Sequence, residues 1–420
     1  MGELFTGIDL DWKLQTVIAN FDILASRSSA VEADWLKRNH DTFLPLTTTV
    51  ALIVGDGAER STAEKLELDR WWCVAHRASL LMKQASERSG HKEAWACAKP
   101  LVNLVKSSDV LQPMLICTLA ALGQAQQPSS LLSESDTRWT SRYDSIQRLL
   151  DLWDALCVMK TQGKFSGYVG IGGTMIKWPE SSKVETLKAC QPLLKPVVVM
   201  ITALQEENVP TLSSVPTHLR TMLAAWSAPI TSCPVAESLR VHLLSEFNTY
   251  FPNFFSTGAN WALIAAALDP RYTDLQGCSE QVRDNVWDAV LHQIVLLGDP
   301  TDDMNTAEII KPACVVLRKA LKDVHDKTPI DPLEWWRERA GRSCASAQWA
   351  QFGNVARVFL AAPATSAAIE RCFKSLSFIE EGRQNLSSGR LFQQAIIRNS
   401  ILNGKYDLEA AVSALKPTPK

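Results

Sequence analysis

The stretch "ATSAAIERCF" at 364–373, with "GRQNL" at 382–386, sets one carboxylate, Glu370, a single turn into an Ala-rich helix. Pro363-Ala-Thr-Ser stops the chain just before it. Ile369, Cys372, Phe373 and Leu376 then recur at three- and four-residue spacing, the apolar stripe of an amphipathic helix. An acid in a first helical turn gains about 0.3–1 kcal/mol from the helix dipole. The position equally suits a metal-binding carboxylate whose partners lie more than three hundred residues upstream.

The upstream counterpart is "TTTVALIVGDGAE" at 47–59. Val50 to Val54 are apolar without alternation, the pattern of a strand covered on both faces. The run ends in Asp56-Gly57, so a carboxylate stands where a strand leaves its sheet, and ligands of α/β sheets gather at such ends. The plainer reading of Asp-Gly is a turn. Before it, "WKLQTVIANF" at 12–21 reads as a half-buried strand, and "SAVEADWLKRNH" at 29–40 as a helix capped by Ser28 or Ser29.

From about 62 to 330 helical spacing dominates, most clearly at 184–204 and 236–251. Breaks are expected at 128–130, 165–174, 227–234 and 298–303. The glycines of 165–174 lack the strand-before, helix-after setting of a phosphate loop and read as a loop or hairpin. "DPLEWW" at 331–336 starts a helix, and 352–366 carries an apolar segment into Pro363. The final helical pattern, 390–403, is apolar on more than one face, so two layers or a second subunit must cover it.

Composition is that of a folded chain rather than a disordered one. The chain has 420 residues, 46% apolar and 21% charged, enough for one large core or two ordinary ones. A net charge of −2 excludes a strongly basic module that holds DNA by electrostatics alone. Ten cysteines without a CxxC pair favour a reducing compartment, and a secreted protein is not expected. The longest apolar runs are too short to span a membrane, so no membrane partner is expected.

Several quoted segments, taken in order, resemble the catalytic region of the hAT superfamily of DNA transposases. They are "DWKLQTVIANFDI" (11–23), "VGDGAERS" (54–61), "CVAHRASL" (73–80), "SDTRWTSRYDSIQRLL" (135–150), "LQEENVPTLSSVPTHLRTML" (204–223), "AALDPRY" (266–272), "DPLEWW" and "PATSAAIERCF". The resemblance implies an α/β protein with a large α-helical part. Its RNase H-like core would lack the first strand and be interrupted by a long helical insertion domain. The implied division is 1–76 for the N-terminal part of the core and 77–330 for the insertion. Residues 331–405 would complete the core and form the dimerisation segment, with 406–420 as a tail.

By the same residue-by-residue match, Asp56 and Glu370 take the positions of two catalytic, Mg²⁺-binding carboxylates. Ile369 and Lys374 depart from the small polar residues usual there. Arg138 and Trp139 correspond to a DNA-binding pair, guanidinium to phosphate and indole to an unpaired base, against the plain reading of a helix-start pair. Cys73 and His76 are expected three residues apart on one helix face beside the site, as a packed pair rather than a zinc site. Phe373, Leu376, Leu391, Phe392, Ile396 and Ile397 are the implied dimerisation residues.

The family's site has three carboxylates, and the first is expected to be absent, because Asp9 and Asp11 fall in a turn rather than on a strand. The expectation is therefore a transposase-derived protein, non-catalytic as given, that dimerises or forms higher oligomers with itself, binds DNA weakly and resides in the nucleus, or otherwise in the cytoplasm. No cofactor is expected unless the site is competent, in which case it takes Mg²⁺. The alternative is an active Mg²⁺-dependent transposase in which Asp9, Asp11 or a partner completes the site.

Overall fold

The computed structural model describes residues 2–21, 28–43, 51–56, 60–135, 139–167, 177–256, 260–296, 315–321, 330–341 and 347–371. The chain divides into two compact units. The first comprises Met1–Ala75, Leu204–Pro216 and Phe255–Lys420; the second comprises His76–Ala203 and Thr217–Phe254. The expected insertion, 77–330, begins where the second unit begins, but 204–216 and the residues from 255 onward belong with the first.

The first unit opens with an antiparallel hairpin, β1 (Gly2–Ile8) against β2 (Leu14–Phe21), with Ile8 opposite Leu14 and Gly2 opposite Phe21. The Asp9 side chain builds the turn. It accepts hydrogen bonds from the backbone N–H of Asp11 (3.0 Å) and Lys13 (2.9 Å) and from the Gln15 amide (2.9 Å). Partial burial works against ionisation, yet these donors hold the Asp9 carboxyl below its usual range. The turn forces Trp12 into the left-handed region at φ 60°, uncommon for a bulky residue. Core packing offsets that strain: the Trp12 indole is buried and stacks on Trp336, 5.8 Å between centroids and 10° between planes. The Arg357 guanidinium lies over its ring at 4.4 Å.

Helix α1 (Ser29–Phe43) follows, with the Ser28 hydroxyl accepting from Val31 N–H at 3.4 Å. Strand β3 (Leu52–Gly55) and strand β4 (Asp69–Trp72) then form a parallel pair around α2 (Arg60–Lys65). Burial of β3 on both faces was expected. Leu52, Ile53 and Val54 are only half-buried, because among the described residues the sheet has two strands. Strands β1 and β4 lie where the sequence reading placed none: β1 before the expected strand, β4 inside the expected helical region.

Among the described residues the rest of the first unit is helical. It contains a 3₁₀ turn (Leu212–Ser214), α11 (Trp261–Leu268), α12 (Glu280–Leu296), α13 (315–321), α14 (Pro332–Ala340), α15 (Ala347–Ala361) and α16 (367–371). Asp331 caps α14 through Leu333 N–H at 2.9 Å, with Pro332 in the first turn, as the sequence predicts. Trp335, Trp336, Trp349 and Phe352 meet edge to face in the core. Gly353 is required there, since a Cβ would stand 2.6 Å from Ala340 Cβ and 3.1 Å from the Trp12 ring. At the end of α11, Asp269 is fully buried. It accepts from Ser213 Oγ (2.7 Å) and pairs with Arg271 (2.7 Å), whose guanidinium also reaches the Pro210 carbonyl.

The second unit is all helix among its described residues: α3 (Val74–Ser89, entering from the first unit), α4 (His91–Ser107), α5 (Leu111–Ala121), α6 (Trp139–Asp151), α7 (Trp153–Thr161), α8 (Ser181–Ala203), α9 (Val215–Ala225) and α10 (Pro234–Tyr250). Leu101, Val105, Leu115, Leu119, Ile146 and Leu156 form its centre. The Trp226 indole donates to the Leu193 carbonyl at 2.8 Å, in the stretch of α8 between Pro192 and Pro196. A strap at 130–135 runs antiparallel to α6: Arg148 donates to the Ser130 carbonyl, Ser145 to that of Leu132 and Ser141 to that of Ser135. Its Glu134 side chain is almost wholly buried and takes hydrogen bonds from Trp95 (2.8 Å), Lys99 (2.9 Å) and Arg142. Burial opposes its charge, but these three donors hold its carboxyl below the usual range. Among the described residues no helix is long and apolar enough to cross a membrane.

Candidate functional site

Asp56 follows the last residue of β3 and is exposed. The parallel register that pairs Gly55 with Trp72 continues one step further: Cys73 N–H donates to the Gly55 carbonyl at 2.7 Å. Cys73 is therefore the far end of the strand pair, and its buried Sγ accepts from the backbone N–H of Ser366 at 3.4 Å. Next to it, Val74 N–H donates to the Ala364 carbonyl at 3.0 Å.

The segment 364–366 is fixed from its other side as well. Ala364 N–H donates to Thr211 Oγ1 (3.0 Å), and Thr365 Oγ1 donates to the Leu204 carbonyl (3.2 Å). These buried groups hold the Pro363 stop in place, since an unmade hydrogen bond there would cost about 1–3 kcal/mol. Ser366 then opens α16: its carbonyl accepts Glu370 N–H at 3.2 Å and its hydroxyl donates to Glu370 Oε1 at 3.3 Å. Glu370 is exposed, and Arg371 beside it pairs with Glu207 at 2.7 Å and donates to the Gln205 carbonyl. One residue, Cys73, thus bonds both the strand end that carries Asp56 and the helix start that carries Glu370.

Two exposed carboxylates are oxygen donors of the kind Mg²⁺ takes. They do not make up a three-carboxylate set, and among the described residues no group of three or more His, Cys, Asp and Glu could hold a metal ion. Asp9 is engaged in its own turn, and Asp11 lines a shallow groove with Lys13, Asp331, Glu334 and Arg337.

The expected helix pair of Cys73 and His76 is corrected. Helix α3 starts at Val74, and Cys73, between it and β4, donates its N–H to the Gly55 carbonyl. Cys73 is buried, whereas His76 is exposed on the helix. Trp139 opens α6, while Arg138 and the Trp139 side chain lie outside the described residues. So do Phe373, Leu376, Leu391, Phe392, Ile396 and Ile397. Sequence reading missed Thr211 and the Asp269–Arg271 pair. Thr211 had no local signal, its partner being 153 residues away. The Asp-Pro-Arg that ends the apolar helix at 261–268 was the available sign of a buried pair. No family model matches the chain, and no curated protein matches it either.

Proposed function

We propose that the chain is a transposase-derived protein of hAT type without a competent strand-transfer site. In this reading it keeps an RNase H-like core interrupted by a helical insertion, self-associates through 331–405, binds DNA weakly and resides in the nucleus. The observation that carries the reading is the meeting of the Asp56 strand end and the Glu370 helix start at Cys73, with Cys73 and Ser366 293 positions apart in sequence. The order of elements supports it too: an antiparallel pair, a helix and a parallel pair come before the helical unit, and the chain then returns to the first unit. Asp9, one of the two candidates for a third ligand, already accepts three hydrogen bonds in its own turn, which favours the non-catalytic reading.

The test joins sedimentation with a cleavage assay on the full chain. The reading predicts a dimer that dissociates on dilution and is lost in Phe392→Glu and Ile396→Glu. It also predicts no DNA cleavage in Mg²⁺ or Mn²⁺ that depends on Asp56 or Glu370. A monomer at every concentration, or cleavage abolished by Asp56→Ala, contradicts it.

A further inference from the structure

From Ala155 to Val184 the charged residues are Lys160, Lys164, Lys177, Lys183 and a lone acid, Glu180. In the second unit as a whole Lys and Arg outnumber Asp and Glu, whereas acids outnumber bases in the first. The fold gathers this basic stretch around three aromatic rings. Helix α7 ends at Thr161, and Gly163, at φ 71°, turns the chain there: Lys164 N–H donates to the Met159 carbonyl (3.0 Å) and Gly163 N–H to that of Lys160 (2.9 Å). Phe165, just past the turn, meets Trp178 edge-on at 5.3 Å between centroids. Trp153, at the start of α7, meets Trp178 at 5.3 Å and 37°. All three rings pack against the apolar cluster of α4 to α7 and remain half-exposed. Lys164 and Lys177 directly precede Phe165 and Trp178 and are exposed, as is Lys160, whose Nζ lies 4.7 Å from the centre of the Trp178 ring.

We propose that this aromatic patch with its lysine fringe binds single-stranded nucleic acid, bases against the rings and phosphates on the lysines. Charge decides between occupants. Exposed lysines around the rings repel a cationic partner, such as a basic peptide, and attract a polyanion. Half-exposed indoles offer flat π faces, which a polyanion uses only if it carries flat rings of its own. A duplex keeps its bases stacked inside, whereas a single strand presents bases and phosphates together. The Lys160 ammonium reaches the Trp178 face from solvent, so that face is accessible; a phosphate draws the ammonium off the ring as a base takes its place. The patch shares no residue with the Arg138–Trp139 pair. It gives the weak DNA binding proposed above a surface, and it rests on that reading only in taking DNA as the nucleic acid.

The test is fluorescence anisotropy of a short labelled oligo-dT titrated with the full chain between about 50 and 200 mM salt. The strand should bind more tightly than a blunt duplex of the same length. Lys160→Gln, Lys164→Gln and Lys177→Gln together should weaken it at least tenfold at the lower salt and reduce the slope of log affinity against log salt by about 2, with the melting temperature unchanged. Trp178→Leu, which keeps apolar bulk over the core, should weaken it about tenfold and leave the salt slope as it was. Absence of binding, or a preference for the duplex, overturns the proposal. Binding that survives both variants but is lost in Arg138→Ala also overturns it, and leaves the reading above intact. Oligo-dT displaced by phosphatidylserine vesicles with the same lysine dependence assigns the patch to an anionic membrane and overturns it too. A chain that stays monomeric in sedimentation contradicts the reading above without touching this result.

Discussion

The two units close in different ways. In the first, the fixing contacts join distant segments: Cys73 to Ser366, Thr211 to Ala364, Asp69 to Trp261 at 2.9 Å and Leu268 to Trp336 at 2.9 Å. In the second, α4 to α7 share one apolar cluster, α8 packs against α4, α6 and α10, and side-chain ties run from α3 to α10, Arg77 to the Tyr250 carbonyl and Arg88 to Glu246. A structure of the first kind depends on hydrogen bonds between segments far apart in the chain, each of which must offset the entropy of closing a long loop. A structure of the second kind depends on helix packing, and its buried polar groups are the exceptions.

The largest expected effect breaks a pair in the first unit. Asp269→Ala leaves the Arg271 guanidinium without its carboxylate and should cost about 3–5 kcal/mol in denaturant unfolding. Burial already opposes the Arg271 charge, while the hydrogen bonds and charge of Asp269 outweigh it and raise its pKa.

In the second unit the corresponding weak point is a histidine. His91 is fully buried at the start of α4, with Nδ1 2.6 Å from Ser86 Oγ, and burial followed by the Arg142 charge lowers its pKa to about 4. The unfolded chain takes up that proton near pH 6.5, before the folded one does, so stability is full above that pH and falls as pH drops towards 4. The loss should be about 3 kcal/mol. His91→Gln should flatten the profile over that window, and an unchanged acid slope would mean the proton goes elsewhere.

Two smaller effects sharpen the contrast. Gly353→Ala forces Ala340 and the Trp12 ring apart and should destabilise by about 1–3 kcal/mol. Asn260→Ala removes the acceptor for Leu263 N–H, 3.0 Å away, at the start of α11, and should cost about 1 kcal/mol in the same melts.

The same contrast explains what could be read from the sequence. Helices α8, α10 and α14 follow from apolar spacing, Pro234, and the Asp331 cap, all local signals. Strand β4, four residues beginning Asp-Arg, has no alternating pattern, and it exists through its pairing with β3. The burial expected of β3 failed because apolar composition reports what a strand could bury, not how many neighbours it has. Of the candidate site, Asp56 and Glu370 were readable as acids at element ends. The residue that bonds both their segments, Cys73, was placed in the wrong element, because its partners, Gly55 and Ser366, are 18 and 293 residues away. The free energy that places it is tertiary.

The account rests on the Asp56 strand end and the Glu370 helix start meeting at Cys73. The direct measurement is Asp56→Cys with Glu370→Cys, treated with a short bifunctional thiol reagent and read by mass spectrometry of the joined peptides. The account predicts an intramolecular 56–370 link in the dilute native chain, lost on denaturation. Two reactive thiols that never join under native conditions would contradict it.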